Sequence, residues 1–399
     1  MSNTTTTTTS AGTGTGTSTM RAQVLEAFNK PYVLKTDFAR PAPPKGHEML
    51  VRVTAASYCH TDAVFTAGAM QQGLPRVGSH EFAGIVEAFG DEAQSVAQVK
   101  GISRGDLVGV PGRAFGPCGS CEECVDNGGD LPGYGVWCPK ASNLGLTRDG
   151  GFQDYCLVDV RQVARVPSGG AMKAVDIAPL MCAGVTVWNA LAAAGLNMEG
   201  GDRGKGDKVV AILGAGGGLG HLGVQFAAKL GWKVVAVDTT PAMAMLDGVI
   251  KELGEDGKNV IPVDVLKENV ESAKSRIFGT ASSGLESQKG CDSSVILPES
   301  QAAFDFGMGV IKSHGTCVCV SFPKDGWHFK PGDLVFRHIK LVGVLTGRNH
   351  QLQAMVDFAA KYGVRAKIRT YPLEKLNELV EDYHRGVGGK LVVDMEMES

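Results

Sequence analysis

The stretch Leu213–Asp238, LGAGGGLGHLGVQFAAKLGWKVVAVD, constrains the fold more than any other part of the chain. The segment "DKVVAILGA" reads as a buried strand, "LGVQFAAKLG" as a helix with apolar spacing that ends on glycine, and "KVVAVD" as a second strand. Between the first strand and the helix lie Gly214, Gly216, Gly217, Gly218 and Gly220. Glycines there let backbone approach a pyrophosphate, and the free N–H groups of a helix start can bind it. The literal G-x-G-x-x-G match is Gly218, Gly220 and Gly223, which begins too late after the strand. The spacing Gly214-x-x-Gly217-x-x-Gly220 fits better, with Gly216 and Gly218 as further permissive positions. Asp238 ends the second strand, where a carboxylate can hold ribose hydroxyls. The same carboxylate repels a 2′-phosphate, and "DTTPAM" after it offers no Arg or Lys. The nucleotide expected is NAD, not NADP.

Cysteine supplies the second constraint. The chain carries ten, in 399 residues with 39 Lys plus Arg against 42 Asp plus Glu. So balanced a charge gives no footprint for nucleic acid, and no apolar run approaches the ~18 residues of a membrane span. The first nineteen residues are Thr-, Gly- and Ser-rich, with no basic or apolar run that would address the chain to an oxidising compartment. They are expected to form a disordered tail, and the protein to be cytoplasmic, with thiols reduced or holding metal. Cys118-x2-Cys121-x2-Cys124, followed after thirteen residues by Cys138, can wrap four thiolates around one zinc. Gly116, Gly119, Gly128 and Gly129 give such a lobe its backbone freedom. Closed by four ligands, this site stabilises and does no chemistry.

A second set is dispersed: Cys59 in "YCHTD", His80-Glu81 in "GSHEFAG" and Cys182 in "MCAG". Two cysteines and a histidine hold zinc with its fourth position open. Each alone has a plainer reading, Cys182 as a small buried hydrophobe and His80 as a hydrogen-bonded core histidine. Their neighbours favour the metal. Asp62 can orient the other ring nitrogen of His80, and Thr61 offers a hydroxyl that both donates and accepts.

Two textures divide the chain. From Met20 to about residue 183, short β-branched segments such as "EMLVRVTAAS", "EFAGIVEAFG" and "GDLVGVP" alternate with Gly and Pro turns. From 184 to 338, strands alternate with helices and include "DSSVIL" and "GTCVCVSF"; "IKLVGVL" follows at the boundary. Residues 339–399 return to the first domain through the amphipathic "PLEKLNELVEDYHRG" and the strand "KLVVDME". The expected fold is α/β: a doubly wound parallel Rossmann sheet plus a partly closed β-rich catalytic domain carrying a zinc lobe. "SGLESQKG" (283–290) reads as a solvated loop.

Together these pieces resemble the zinc-dependent alcohol dehydrogenases of the medium-chain dehydrogenase superfamily, most nearly the tetrameric yeast-type branch, over about Met20–Glu398. The stretches that carry the likeness are "YCHTD", "VGSHEFAG", the four-cysteine lobe, "DGGFQDY", "APLMCAGVTVW", "GAGGGLG" and "GGKLVVDM". The resemblance implies an NAD-dependent alcohol dehydrogenase with two zincs per chain, one catalytic and one structural. It would act as a homo-oligomer, dimer or tetramer, on a small alcohol or aldehyde. Cys59, His80 and Cys182 are implied as catalytic ligands, Glu81 as an acidic neighbour able to approach the metal, and Thr61 as first member of a proton relay. His60 is implied near the pyrophosphate and Thr186 near the nicotinamide, with Leu219, Val344 and Lys390 among the cofactor contacts. Four departures stand out. Val64 replaces a relay histidine, and the loop before Cys138 carries an insertion. Met243 stands where a basic residue follows the ribose-binding Asp, and Ala69, Met70 and Arg113 stand where pocket-narrowing aromatics are usual. These last departures put ethanol in doubt as the substrate, and a dehydrogenase for wider aryl or terpenoid alcohols competes within the same enzyme class. Arg113 could bind a substrate carboxylate or face water, the commoner fate of an arginine. Two other functions are weighed against this one: a zinc-free enone or quinone reductase of the same superfamily, and a non-catalytic NAD-binding protein.

Overall fold

The structure, a computed structural model, describes residues 19–70, 73–125, 130, 133–170, 172–198, 208–279 and 289–398. Most of the Thr-rich tail, Gly128, Gly129 and most of the 283–290 loop lie outside the described residues. Thr19, expected in the tail, instead opens the strand Thr19–Leu25 and pairs with Ala39.

The long strand Glu48–Tyr58 organises the first domain, because alternate β-branched and small residues let it be buried on nearly its whole length. It pairs antiparallel with Glu81–Phe89 (Ala56 opposite Phe82), with Tyr155–Asp159 (Val51 opposite Cys156) and with Lys390–Asp394 (Tyr58 opposite Leu391). Glu81–Phe89 pairs in turn with Leu107–Pro111, and Ile368–Tyr371 lies parallel to Lys390–Asp394 at the far edge. Near the C-terminus, Ile368–Tyr371 and Lys390–Asp394 are thus strands of the same sheet as Glu48–Tyr58.

The second domain holds a six-stranded, all-parallel sheet among the described residues. Val209–Leu213 sits centrally, with Lys233–Asp238 and Val260–Asp264 to one side and Cys291–Ile296, Ile311–Cys319 and Lys340–Gly343 to the other. This is doubly wound order, with the chain reversing direction of growth beside Val209–Leu213, where such sheets open a ligand crevice. The boundary expected at 338 is early. Lys340–Gly343 still pairs with Thr316–Cys319; its backbone hydrogen bonds tie it to the Rossmann sheet although its side chains are mostly exposed, so the apolar pattern gave no sign of where the sheet ends.

The two domains are joined by the helix Ala183–Ala193. Its Trp188 meets Phe226 of the helix Gly220–Lys229 and Phe358 of the helix Asn349–Tyr362, with ring centroids 5.1 Å away in both cases. All three are buried in one core. No single helix is long and apolar enough to cross a membrane among the described residues. Trp188→Ala leaves a cavity under both domains, and we expect it to lower unfolding free energy by ~3–5 kcal/mol. A guanidinium unfolding curve displaced by less than ~1 kcal/mol would show that this cluster does not hold the domains together.

Candidate active site

Three elements meet at the dispersed ligand set. Cys59 precedes the short helix His60–Thr66, His80 immediately precedes the strand Glu81–Phe89, and Cys182 stands at the start of the interdomain helix. Their close approach depends on Gly112. Its N–H donates to the His80 carbonyl at 2.6 Å, and a Cβ there would lie 2.6 Å from His80 Cα and Cβ. Any side chain at Gly112 would push the strand end away from the histidine.

The ligand atoms of Cys59, His80 and Cys182 all lie within 4.8 Å of one another. The two sulfurs are 3.9 Å apart, against roughly 3.8 Å for two sulfurs bound tetrahedrally at 2.3 Å from one zinc. His80 Nδ1 faces Asp62 Oδ1 at 3.2 Å, whereas its Nε2 is buried with no hydrogen-bond partner. A buried, orphaned ring nitrogen beside two thiols is a donor set that zinc fits and that nothing else in the described structure satisfies. Asp62 is itself buried and anchored by the Cys59 and Ser79 N–H groups, at 2.9 and 3.2 Å. One carboxylate therefore fixes two of the three ligands.

Glu81, wholly buried, pairs with Lys390, whose Nζ also donates to the Tyr58 carbonyl at 3.2 Å. Burial pushes the Glu81 carboxyl up to about 7, with Lys390 pulling the other way. Burial also works against the charge on Lys390, but Glu81, Cys59 and Cys182 outweigh it and hold its pKa above the ordinary lysine range. Lys390 was expected at the cofactor. Its ammonium is instead spent on Glu81, and only its stem touches the glycine turn, 3.3 Å from where a Gly218 Cβ would be. Sequence separation of 309 residues hid this pair.

The glycine turn follows the strand Val209–Leu213 as expected. Gly220, first residue of its helix, approaches so closely that a Cβ would lie 1.9 Å from the Gly214 carbonyl oxygen. The Gly216 N–H donates to Asp238 Oδ2 at 2.8 Å, and the Thr239 N–H to Oδ1 at 2.7 Å, so the acidic strand end is locked onto the turn. Beside them opens a cavity of about 940 Å³ whose walls include Gly214, Asp238, Thr239, Asn269 and Pro298. Leu219 stands at the N-cap of the helix, and Val344, just after the strand Lys340–Gly343, donates its N–H to the Cys319 carbonyl of the neighbouring strand at 3.0 Å. Thr186 is buried one turn after Cys182, and Thr61 is half-buried one residue after His60. His60 is exposed; it bonds the Tyr383 hydroxyl at 2.8 Å and faces Glu299 at 3.4 Å across the cleft.

The second ligand set is equally compact, with the sulfur atoms of Cys118, Cys121, Cys124 and Cys138 within 4.8 Å of one another. Cys121 and Cys138 sulfurs are 3.8 Å apart, and the Cys118 N–H points at the Cys138 sulfur at 3.4 Å. The four remaining cysteines are elsewhere: Cys156, Cys291 and Cys317 buried, Cys319 half-buried.

Arg113 departs from the commoner fate of an arginine. Its Nη2 donates to Asn349 Oδ1 at 3.3 Å, while Nε and Nη1 are buried and unpartnered among the described residues. Burial brings its pKa down to about 10, opposed by Asp130 and Cys182. Its backbone neighbour Gly112 is hydrogen-bonded to the His80 carbonyl, so Arg113 leaves the chain next to a candidate zinc ligand.

Comparison with known proteins agrees with this geometry. The alcohol dehydrogenase GroES-like domain family matches residues 45–168, and the zinc-binding dehydrogenase family matches residues 218–361. An alcohol dehydrogenase of Geobacillus stearothermophilus is 32% identical over 94% of this chain and 99% of its own. The alcohol dehydrogenase of the archaeon Aeropyrum pernix is 25% identical, with a TM-score of 0.73 over 94% of this chain and 99% of that one. Acetophenone reductase of Geotrichum candidum, solved with NAD, is 24% identical, with a TM-score of 0.70 over 94% and 97%.

The four-cysteine lobe makes a direct prediction. Cys121→Ser should lose one zinc by elemental analysis and lower the melting temperature by at least ~5 °C, because metal binding there is folding energy. An unchanged melting temperature with full zinc content would remove the lobe's structural role.

Proposed function

Because the chain belongs to the zinc-binding alcohol dehydrogenase family of the medium-chain dehydrogenase/reductase superfamily, we propose that it catalyses the reversible, NAD-linked oxidation of an alcohol to an aldehyde or ketone. The observation that carries this is the convergence of Cys59, Cys182 and the unpartnered His80 Nε2, joined to the dinucleotide turn by one side chain, Lys390. Two cysteines and one histidine are the catalytic ligand set of alcohol dehydrogenases.

When bound, zinc would supply Lewis-acid polarisation of the alcohol oxygen and NAD the hydride acceptor. The chain's own groups do the rest. Asp62 holds the His80 ring so that Nε2 faces the two sulfurs. Thr61 Oγ1 accepts the alcohol proton as charge develops on the oxygen, a step its hydroxyl suits because it can donate onward at once. With Val64 in place of a histidine, the proton would leave without an imidazole at that position of the helix. Thr186 borders the reacting carbon. The glycine N–H groups and the helix start would hold the pyrophosphate, and Asp238 would take the ribose hydroxyls.

Homo-oligomer formation of the yeast type belongs to the same reading. The outer strand Lys340–Gly343 lies at the edge of its sheet, and near it Phe336 and Leu345 are 85% and 64% exposed. An apolar rim on an open edge is a surface that pairing with a second copy would cover.

Two measurements test the reading. NADH formation against a panel of primary, secondary and aryl alcohols should be positive for at least one, and Cys59→Ala should reduce it by ~10³-fold or more with melting behaviour retained. If every alcohol is inert and only enones are reduced, the reductase alternative replaces it. Separately, Asp238→Ala should raise KM for NAD by ~10–100-fold, as expected from losing charge-assisted bonds to ribose, without raising KM for NADP. Equal loss for both cofactors would remove Asp238 as the discriminating group.

A further inference from the structure

Arg113 and the lobe insertion, the two most unusual features of this chain around the ligand set, meet at a single residue. The insertion contributes Asp130, whose carboxylate accepts the N–H groups of Asn349 (3.0 Å) and His350 (2.9 Å) and faces His350 Nδ1 at 2.8 Å. It thereby fixes the first turn of the helix Asn349–Tyr362. The insertion also contributes the Tyr134 carbonyl, which accepts from Asn349 Nδ2 at 3.3 Å. With its amide nitrogen so engaged, Asn349 must present its oxygen to Arg113 Nη2. The guanidinium is held in place by this one bond. At the other end, Gly112 ties the Arg113 backbone to the carbonyl of His80.

A positioned arginine that leaves Nε and Nη1 unsatisfied is costly to bury. Three of its five N–H donors have no acceptor among the described residues, and a buried unpaired charged donor costs more than a neutral one. The arrangement suits an acceptor that arrives with the substrate. Guanidinium matches a carboxylate as a planar fork. A single arginine, with Cys182 and Asp130 already within its field, favours one negative charge over the two of a phosphate monoester.

We propose that Arg113 makes this enzyme selective for alcohols, and the corresponding aldehydes, that carry a carboxylate a few carbons from the reacting carbon. This rests on the dehydrogenase reading above and names its substrate class. Arg113 is a specificity-determining residue; the hydride and proton transfers are unchanged.

The test compares ω-hydroxy acids of three to five carbons with the 1-alkanols of equal length, and with their phosphate monoesters, on the zinc-loaded enzyme with NAD. Wild type should prefer one hydroxy acid over its alkanol in kcat/KM, and Arg113→Gln should lower that ratio by ~10–100-fold. Arg113→Lys should restore only part of it, since an ammonium is no fork. A readout independent of turnover is calorimetric binding of butanoate to the holoenzyme, expected in wild type and lost in Arg113→Gln, with zinc content equal in both. A wild-type preference for neutral alkanols or phosphate esters overturns the proposal and leaves the dehydrogenase reading standing. So does an unchanged ratio in Arg113→Gln, or loss of zinc in that variant with the ratio kept, which would make the arginine a support for Cys182. No NADH from any compound sinks both.

Discussion

The buried ion pair between Glu81 and Lys390 is the constraint on which the active site depends. Glu81 follows His80 directly, and Lys390 opens the last strand of the chain. Their pairing fixes the C-terminal strand against Tyr58, one residue before Cys59, and sets the lysine stem against Gly218. Metal ligands, nucleotide turn and C-terminus are thereby referred to one another through one side chain. Two charges removed from water are tolerable only in such close mutual contact. Removing either leaves the other uncompensated beside two thiols. The pair also explains why the chain must come back: the sheet that carries Cys59 and His80 is incomplete without residues 390–394.

Holding three side chains from distant segments of the chain within bonding range needs stiffness, and here it comes from packing. Cys182 stands at the start of a helix whose far side buries Trp188 between Phe226 and Phe358. The same Gly220–Lys229 helix that carries Phe226 begins at the glycine turn. A nucleotide seated on that turn and a ligand cysteine on its neighbour therefore share one apolar core, and close-packed cores transmit displacement instead of absorbing it. Across the mouth of the cleft, His60 joins Tyr383 and Glu299 by polar contacts alone, exposed to solvent and screened.

Much of this was legible in the sequence because the chemistry is carried by residue type. Glycine spacing and Asp238 marked the turn that the Gly216 N–H closes onto Asp238, cysteine spacing marked the lobe where four sulfurs meet, and Asp62 stands three residues from Cys59, close enough to read as the partner of His80. The strands 48–58, 81–89 and 107–111 were visible because their apolar residues are framed by turn formers. What stayed hidden depends on pairing between distant segments. Nothing local in Lys390 tells that its ammonium meets Glu81 and not a phosphate. The sixth parallel strand, Lys340–Gly343, is a strand by backbone bonding with mostly exposed side chains, so pattern could not assign it to a sheet. Arg113 was ambiguous for the same reason, since burial belongs to the fold and not to the residue.

The contrast between Lys390, which is buried, and Arg113, which is half-buried with Nε and Nη1 out of solvent, is itself informative. Lys390 is satisfied from within the protein, by a carboxylate and a carbonyl. Arg113, held by an amide that the insertion orients, is left with Nε and Nη1 unpartnered among the described residues. A fold that needed Arg113 only for packing would close those donors with a backbone carbonyl or a carboxylate, as it does for Arg161, which lies on Asp159 at 2.6 Å. Asp130 is close enough to act on Arg113 electrostatically, yet its oxygens are spent on Asn349 and His350. The insertion therefore orients the arginine without neutralising it. On the substrate class proposed above, polar satisfaction of Arg113 would be completed when a carboxylate enters, and the unpaired donors would supply part of its binding energy.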